Sequence, residues 1–217
     1  MPASQAYLNG QFIRAVIFDF GEVLSYPPPP ATITAMADLL HVTPEKFRER
    51  YYAERYPYDR GELSAARYWQ AVARDTGTHL VPRQIEWLRQ MDVAMWSNIN
   101  LQMLHWAAQL RDEGIQTAVL SNMHPDMAES VRAECAWIRD FHCFVLSAEL
   151  GLAKPDPQIF QRCLDCLKVQ ANEALFIDDK ERNTQAGEEL GITGICANSP
   201  ATIRAQLQNA GWGGPLP

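Results

Sequence analysis

The sequence predicts a doubly wound α/β fold, a parallel sheet with helices on both faces, carrying a small helical insert. Three observations predict it. Short apolar runs alternate with longer amphipathic ones along the chain. The short runs are near-continuous in apolar residues, the pattern of strands buried on both faces. One long interval, 26–95, holds no convincing strand.

The first strand is read at 15–20, "AVIFDF", which carries Asp19 at its end and stops at Gly21. "PPPP" (27–30) then stiffens the exit, because proline fixes φ and favours extended backbone. Helices are predicted at 31–40, 44–55, 64–76 and 82–92. Pro44 and Pro82 stand where a helix begins, a position at which the missing N–H costs nothing. These helices are read as a cap over the carboxyl ends of the sheet, spanning 26–95. The core is assigned to 1–25 and 96–217. The remaining strands are predicted at 117–122, 143–148, 174–179 and 194–198, and the remaining helices at 99–113, 125–136, 157–168, 182–190 and 200–209.

Composition excludes several function classes. With 217 residues, 47% of them hydrophobic, the chain can build a sizeable packed core. A net charge of −7 argues against nucleic-acid binding. There is no long apolar run for a membrane span, and the N-terminal residues lack a secretory pattern. Five scattered cysteines suit a reducing cytoplasm better than a disulfide framework. Cys163 and Cys166, in "CLDC", lie one turn apart on an amphipathic helix, with no second pair and no nearby histidine, and are read as packed thiols.

The polar residues fall where an open parallel sheet binds ligands, outside the carboxyl ends of its strands. Asp19 ends the first strand, Ser121 and Asn122 the second; Lys154 follows the third, and Asp178 and Asp179 end the fourth. Three converging carboxylates repel one another without a cation, and oxygen-only ligands select a hard ion such as Mg²⁺. A hydroxyl, an amide and an ammonium group suit the oxygens of a transferring phosphoryl group. Ser121 and Asn122 also precede a helix start, whose free N–H groups favour an anion. Asp19, kept ionised, can attack phosphorus.

Together "VIFDFGEVL", "AVLSN", "GLAKPDPQIF" and "LFIDDKERN" resemble the four motifs of the haloacid dehalogenase-like (HAD) hydrolase superfamily, in order and over nearly the whole chain. The resemblance implies a Rossmann-like core with the cap inserted after the first motif, in the branch with helical caps. It implies Asp19 as nucleophile, with Mg²⁺ on Asp19, the Gly21 carbonyl, Asp178 and Asp179. It implies Ser121, Asn122 and Lys154 around the phosphoryl group of a small phosphorylated metabolite, in a cytoplasmic monomer or homodimer. The departure is Gly21, where most phosphatases of the family carry an aspartate that protonates the leaving oxygen. Three readings follow. The first is a phosphatase of the Gly branch, which includes sugar-1-phosphate phosphatases and needs a good leaving group or help from Glu22, the cap or the substrate. The second is a metal-independent 2-haloacid dehalogenase, which the Asp178–Asp179 pair opposes. The third is a catalytically weak or inactive binding protein.

Secondary candidates are Asn183, as a helix residue or a partner of Asp179, and His124, as a simple loop histidine or a residue that reaches substrate from beside the phosphate loop. Among the aromatics Tyr51, Tyr52, Tyr56, Tyr58, Tyr68 and Trp69, most are expected in the cap core and one or two in the cleft, with Arg60 a candidate polar contact.

Overall fold

The computed structural model describes residues 6–217. The first five, which the sequence reading assigns to the core, lie outside the described residues. The chain opens with a hairpin that the sequence reading missed, β1 (Tyr7–Leu8) against β2 (Gln11–Phe12). Its turn is Asn9-Gly10, with φ of 50° and 80°. Asn-Gly favours such a turn because both residues tolerate positive φ.

Five parallel strands form the central sheet: β3 (Ala15–Phe18), β4 (Gln116–Ser121), β5 (Cys143–Leu146), β6 (Ala174–Asp178) and β7 (Thr193–Cys196). Their spatial order is β5-β4-β3-β6-β7. The chain builds outward from β3 on one side, then returns to build on the other. The crevice of this sheet therefore opens beside β3, between the ends of β4 and β6. In β3, Val16 and Phe18 join one apolar cluster while Ala15 and Ile17 join the other, so every residue of the strand is buried. That two-sided burial is why the run reads as continuous rather than alternating.

Between β3 and β4 lie α1 (Pro30–Leu39), α2 (Pro44–Ala53), α3 (Arg55–Asp59), α4 (Ala65–Val72), α5 (Pro82–Trp96) and α6 (Leu101–Asp112). Helices α1 to α5 share an apolar cluster of their own, with Met36, Phe47, Trp69, Val72 and Leu88 fully buried. The entering and leaving segments run antiparallel: Tyr26 N–H donates to Asn98 O at 2.7 Å, and Asn100 N–H to Leu24 O at 2.8 Å. Thr43, Ser64 and Asn100 cap α2, α4 and α6 through side-chain oxygens, satisfying donors that a helix start leaves open.

The rest of the sheet is wrapped by α7 (Pro125–Glu134), α8 (Ser147–Leu150), α9 (Pro157–Leu167), α10 (Glu181–Glu189) and α11 (Pro200–Asn209). Strand and helix limits differ from the sequence reading mainly at their ends. The 15–20 strand stops at Phe18, and Phe20–Leu24 forms a wide turn closed by the Ser25 N–H on Phe20 O, with Gly21 and Glu22 outside helical φ and ψ. The expectation of unpaired thiols fails at Cys166. It is disulfide-bonded to Cys143, tying α9 to β5, while its sequence neighbour Cys163 stays a buried thiol. The partner lies across the sheet layer, which sequence spacing does not show. No described helix is long and apolar enough to cross a membrane.

Candidate active site

Asp19 follows β3 directly and is buried; its Oδ1 accepts the Phe20 N–H at 2.6 Å. Lys154 arrives from the loop between α8 and α9 and is wholly buried. Its Nζ stands 2.9 Å from Asp19 Oδ1 and 2.6 Å from Asp178 Oδ2. An ammonium group is costly to bury alone, so these two carboxylates determine where it sits. Burial pulls the Lys154 pKa down, but Asp178 and Asp19 outweigh it and hold the amine above its usual range.

The two partners of Lys154 differ. Asp178 also accepts the Lys180 N–H at 2.8 Å and both contacts of Asn183 Nδ2, at 2.9 and 3.1 Å. Burial raises its pKa, yet Lys154 and these hydrogen bonds leave it below the ordinary carboxylate value. Asp19 has fewer donors. Burial pushes it up to about 6, with Lys154 opposing and the Asp178 and Asp179 charges adding to the rise. Asn183 is thus a partner of Asp178, not of Asp179.

Asp19, Asp178 and Asp179 each bring a carboxylate oxygen within 4.8 Å of the others. Asp179 Oδ1 is buried without any hydrogen-bond partner among the described residues. An orphaned carboxylate oxygen facing two more is a donor set that fits a hard divalent cation. Burial and the Asp178 and Glu22 charges raise the Asp179 pKa, against Lys180, the stress a cation would relieve.

Ser121 closes β4 and lines a cavity of about 590 Å³ together with Asp19, Gly21, Asn122 and Lys154. The Asn122 side chain is committed: its Nδ2 donates to Lys154 O and its Oδ1 accepts the Lys154 N–H, both at 2.8 Å. It clamps the loop that delivers the lysine. The structure thus brings Asp19, Gly21, Ser121, Asn122 and Lys154 to one cavity, with Asp178 and Asp179 beside Asp19.

The opposite wall differs from the expectation. Arg60 is turned away, donating to Gly151 O at 2.9 Å and pairing with Glu62. The cavity is lined instead by Arg55, Asp59, Tyr51, Tyr52, Tyr56 and Trp96. Arg55 and Asp59 stand four apart on α3, and that spacing of opposite charges was the available signal. Tyr58, Tyr68 and Trp69 are buried among the helices, as expected for most of the aromatics. His124 does not line the cavity. It is fully buried at the start of α7, stacked on Tyr58 with ring centroids 4.7 Å apart.

The model of the haloacid dehalogenase-like hydrolases matches residues 13–191. Acyl-CoA dehydrogenase family member 10 of Mus musculus is 29% identical over 92% of this chain, and bifunctional epoxide hydrolase 2 of Rattus norvegicus 30% over 51%. The chain spans only 19% and 21% of the length of those two relatives. D-ribitol-5-phosphate phosphatase of Bacteroides thetaiotaomicron is 25% identical over 90% of this chain and 97% of its own. Among solved structures, a HAD family enzyme of that organism superimposes with a TM-score of 0.69 at 23% identity, over 84% of this chain and 92% of its own. An L-2-haloacid dehalogenase of Xanthobacter autotrophicus gives 0.63 at 16%, over 84% and 76%. The chain belongs to the haloacid dehalogenase-like hydrolase family.

Proposed function

We propose that this chain is a Mg²⁺-dependent phosphomonoester hydrolase that acts on a small phosphorylated metabolite through an aspartyl-phosphate on Asp19. The observation that carries the reading is the placement of Lys154 Nζ between Asp19 and Asp178, with the unpaired Asp179 oxygen beside them. A halide-displacing site has no need of that second carboxylate pair. D-ribitol-5-phosphate phosphatase, aligned over nearly its whole length, supports a phosphate ester as substrate. So does the Bacteroides thetaiotaomicron HAD family enzyme solved with magnesium and inorganic phosphate.

In this reading Asp19, Asp178, Asp179 and the Gly21 carbonyl hold the cation. Bound there, Mg²⁺ offsets the charge of the phosphoryl oxygens. Lys154 and Ser121 hold the same oxygens, and Asn122 positions Lys154. The Asp19 carboxylate attacks phosphorus, and water then releases phosphate from the acyl-phosphate. The helices of 26–95 form the cap of a C1-type HAD protein in the Gly branch. The cap covers the cavity and limits substrates to small molecules.

Purified protein should hydrolyse p-nitrophenyl phosphate with Mg²⁺ and stop in EDTA, and Asp19→Ala should remove the activity. Halide release from a 2-haloacid in EDTA would replace this reading with the dehalogenase. No turnover by folded wild type would leave a binding protein.

A further inference from the structure

An alkoxide leaving group needs a proton, and Gly21 has none to give. A general acid contributes about 10²–10⁴ in rate, so its source matters. Glu22 is not that source, since it lines a neighbouring cavity with Pro27 and Tyr52. Resting on the phosphatase reading, we propose that Asp59 of α3 is the general acid for ester cleavage and the general base for release of phosphate from Asp19.

Asp59 lines the same cavity as Asp19, Gly21 and Ser121, from the side of the helical insert. It is fixed to the sheet and not only to the insert. Ser147 Oγ donates to the Asp59 carbonyl at 2.5 Å and accepts the Met123 N–H at 2.9 Å. One hydroxyl therefore registers Asp59 against the loop that begins with Ser121.

Charge balance makes it ready to take up a proton. Arg55 is shared by two buried carboxylates, with Nε 2.7 Å from Asp59 Oδ1 and NH1 3.0 Å from Asp92 Oδ2. Asp92 takes both contacts of Arg55 NH1 and the Tyr51 hydroxyl at 2.7 Å, whereas the Asp59 carboxylate has the single bond from Arg55 Nε. One guanidinium cannot neutralise both, and the carboxylate with fewer hydrogen-bond donors is the one that takes up a proton more readily. Burial raises Asp59 to about 6; Arg55 and Lys180 pull it down and Asp92 pushes it back up. That value suits a group that must give a proton and then regain it.

In the first step the Asp19–phosphorus bond forms as the ester P–O bond breaks. The electron pair goes to the leaving oxygen, which takes the Asp59 proton and departs as an alcohol. In the second step water attacks phosphorus and passes a proton to the Asp59 carboxylate. The Asp19–phosphorus bond breaks, phosphate leaves, and Asp59 is again an acid.

The test is the dependence of kcat/KM on the leaving group, measured with Mg²⁺ over aryl and alkyl phosphates. Wild type should show a shallow dependence. Asp59→Asn should steepen it, losing about 100-fold or more on alkyl phosphates and under about tenfold on p-nitrophenyl phosphate, whose anion departs unprotonated. A steep dependence in wild type would overturn the assignment without any variant. So would an equal loss by folded Asp59→Asn on both substrate types. Absence of any Mg²⁺-dependent turnover by wild type would instead remove the phosphatase reading, and this assignment with it.

Discussion

The Trp96 indole packs directly against the place where a side chain at position 21 would begin. A Cβ built on Gly21 would lie 3.4 Å from Cζ3, 3.8 Å from Cε3 and 3.9 Å from Cη2 of that ring. Gly21 has φ of −65°, which any residue adopts, so backbone conformation does not require glycine there. Trp96 is held in turn: its Nε1 donates to the Tyr51 hydroxyl at 3.3 Å, and that hydroxyl donates to Asp92. The missing acid and the tethered indole are one feature of the site.

That relationship predicts a specific non-additivity. Gly21→Ala places its methyl in ordinary contact with the ring and should be neutral, or stabilising by under about 1 kcal/mol. Gly21→Asp must route a carboxylate past the indole and should cost about 1–3 kcal/mol, as overpacking does. Combined with Trp96→Ala, the Gly21→Asp cost should shrink by at least about 0.5 kcal/mol, the coupling expected of residues in contact. Urea midpoints of the four proteins measure it. Strict additivity would show that the indole does not exclude a side chain at position 21.

How far the sequence carried the argument depends on the distance between partners. The ends of β3, β4 and β6 were legible because continuous apolar runs stop at Asp19, Ser121 and Asp178, and parallel topology brings such ends together. The Lys154 loop was legible from its motif. The cavity's far wall was not, because Arg55, Asp59 and Trp96 reach it through helix packing that apolar periodicity does not encode. Arg60, the candidate polar contact, turns to Gly151 and Glu62, and Arg55 lines the cavity instead. The Cys143–Cys166 bond was missed for a similar reason: its partners are 23 residues apart, on a strand and the helix packed over it.

The cation site makes a prediction independent of turnover. With Asp19, Asp178 and Asp179 facing one another around a single lysine, Mg²⁺ should bind the folded state and stabilise it. At a concentration 100 times Kd the gain is about 2.7 kcal/mol, and in a domain of this size each kcal/mol moves Tm by about 2–4 °C. Asp179→Asn removes one like charge, so it should raise the Tm of the metal-free protein while shrinking the Mg²⁺ shift. Thermal denaturation with and without Mg²⁺ reads both. An undiminished shift in the variant would take Asp179 out of the ligand set.

His124 predicts a pH dependence of stability. Both ring nitrogens are buried without a hydrogen-bond partner among the described residues, although Nε2 comes within 3.3 Å of Asp92 Oδ2. Burial lowers its pKa from 6.5 to about 4; Asp92 and Asp126 oppose the fall, and Arg55 and Arg89 add to it. In the unfolded chain the imidazole takes a proton below about pH 6.5, while the folded protein refuses it until about pH 4. The unfolded state binds more protons in that window, so this contribution to stability is whole above the window and lost as pH falls through it. The loss amounts to about 3 kcal/mol. Other buried groups, Asp19 and Asp59 among them, titrate with the opposite sign, so the informative quantity is a difference. His124→Phe keeps the stack on Tyr58 and removes the titration. The stability of wild type relative to this variant should therefore drop by about 3 kcal/mol between pH 7 and pH 4, read from urea denaturation at each pH. Parallel curves for the two proteins would mean that His124 takes a proton as readily inside the fold as in the unfolded chain, with Asp92 offsetting its burial.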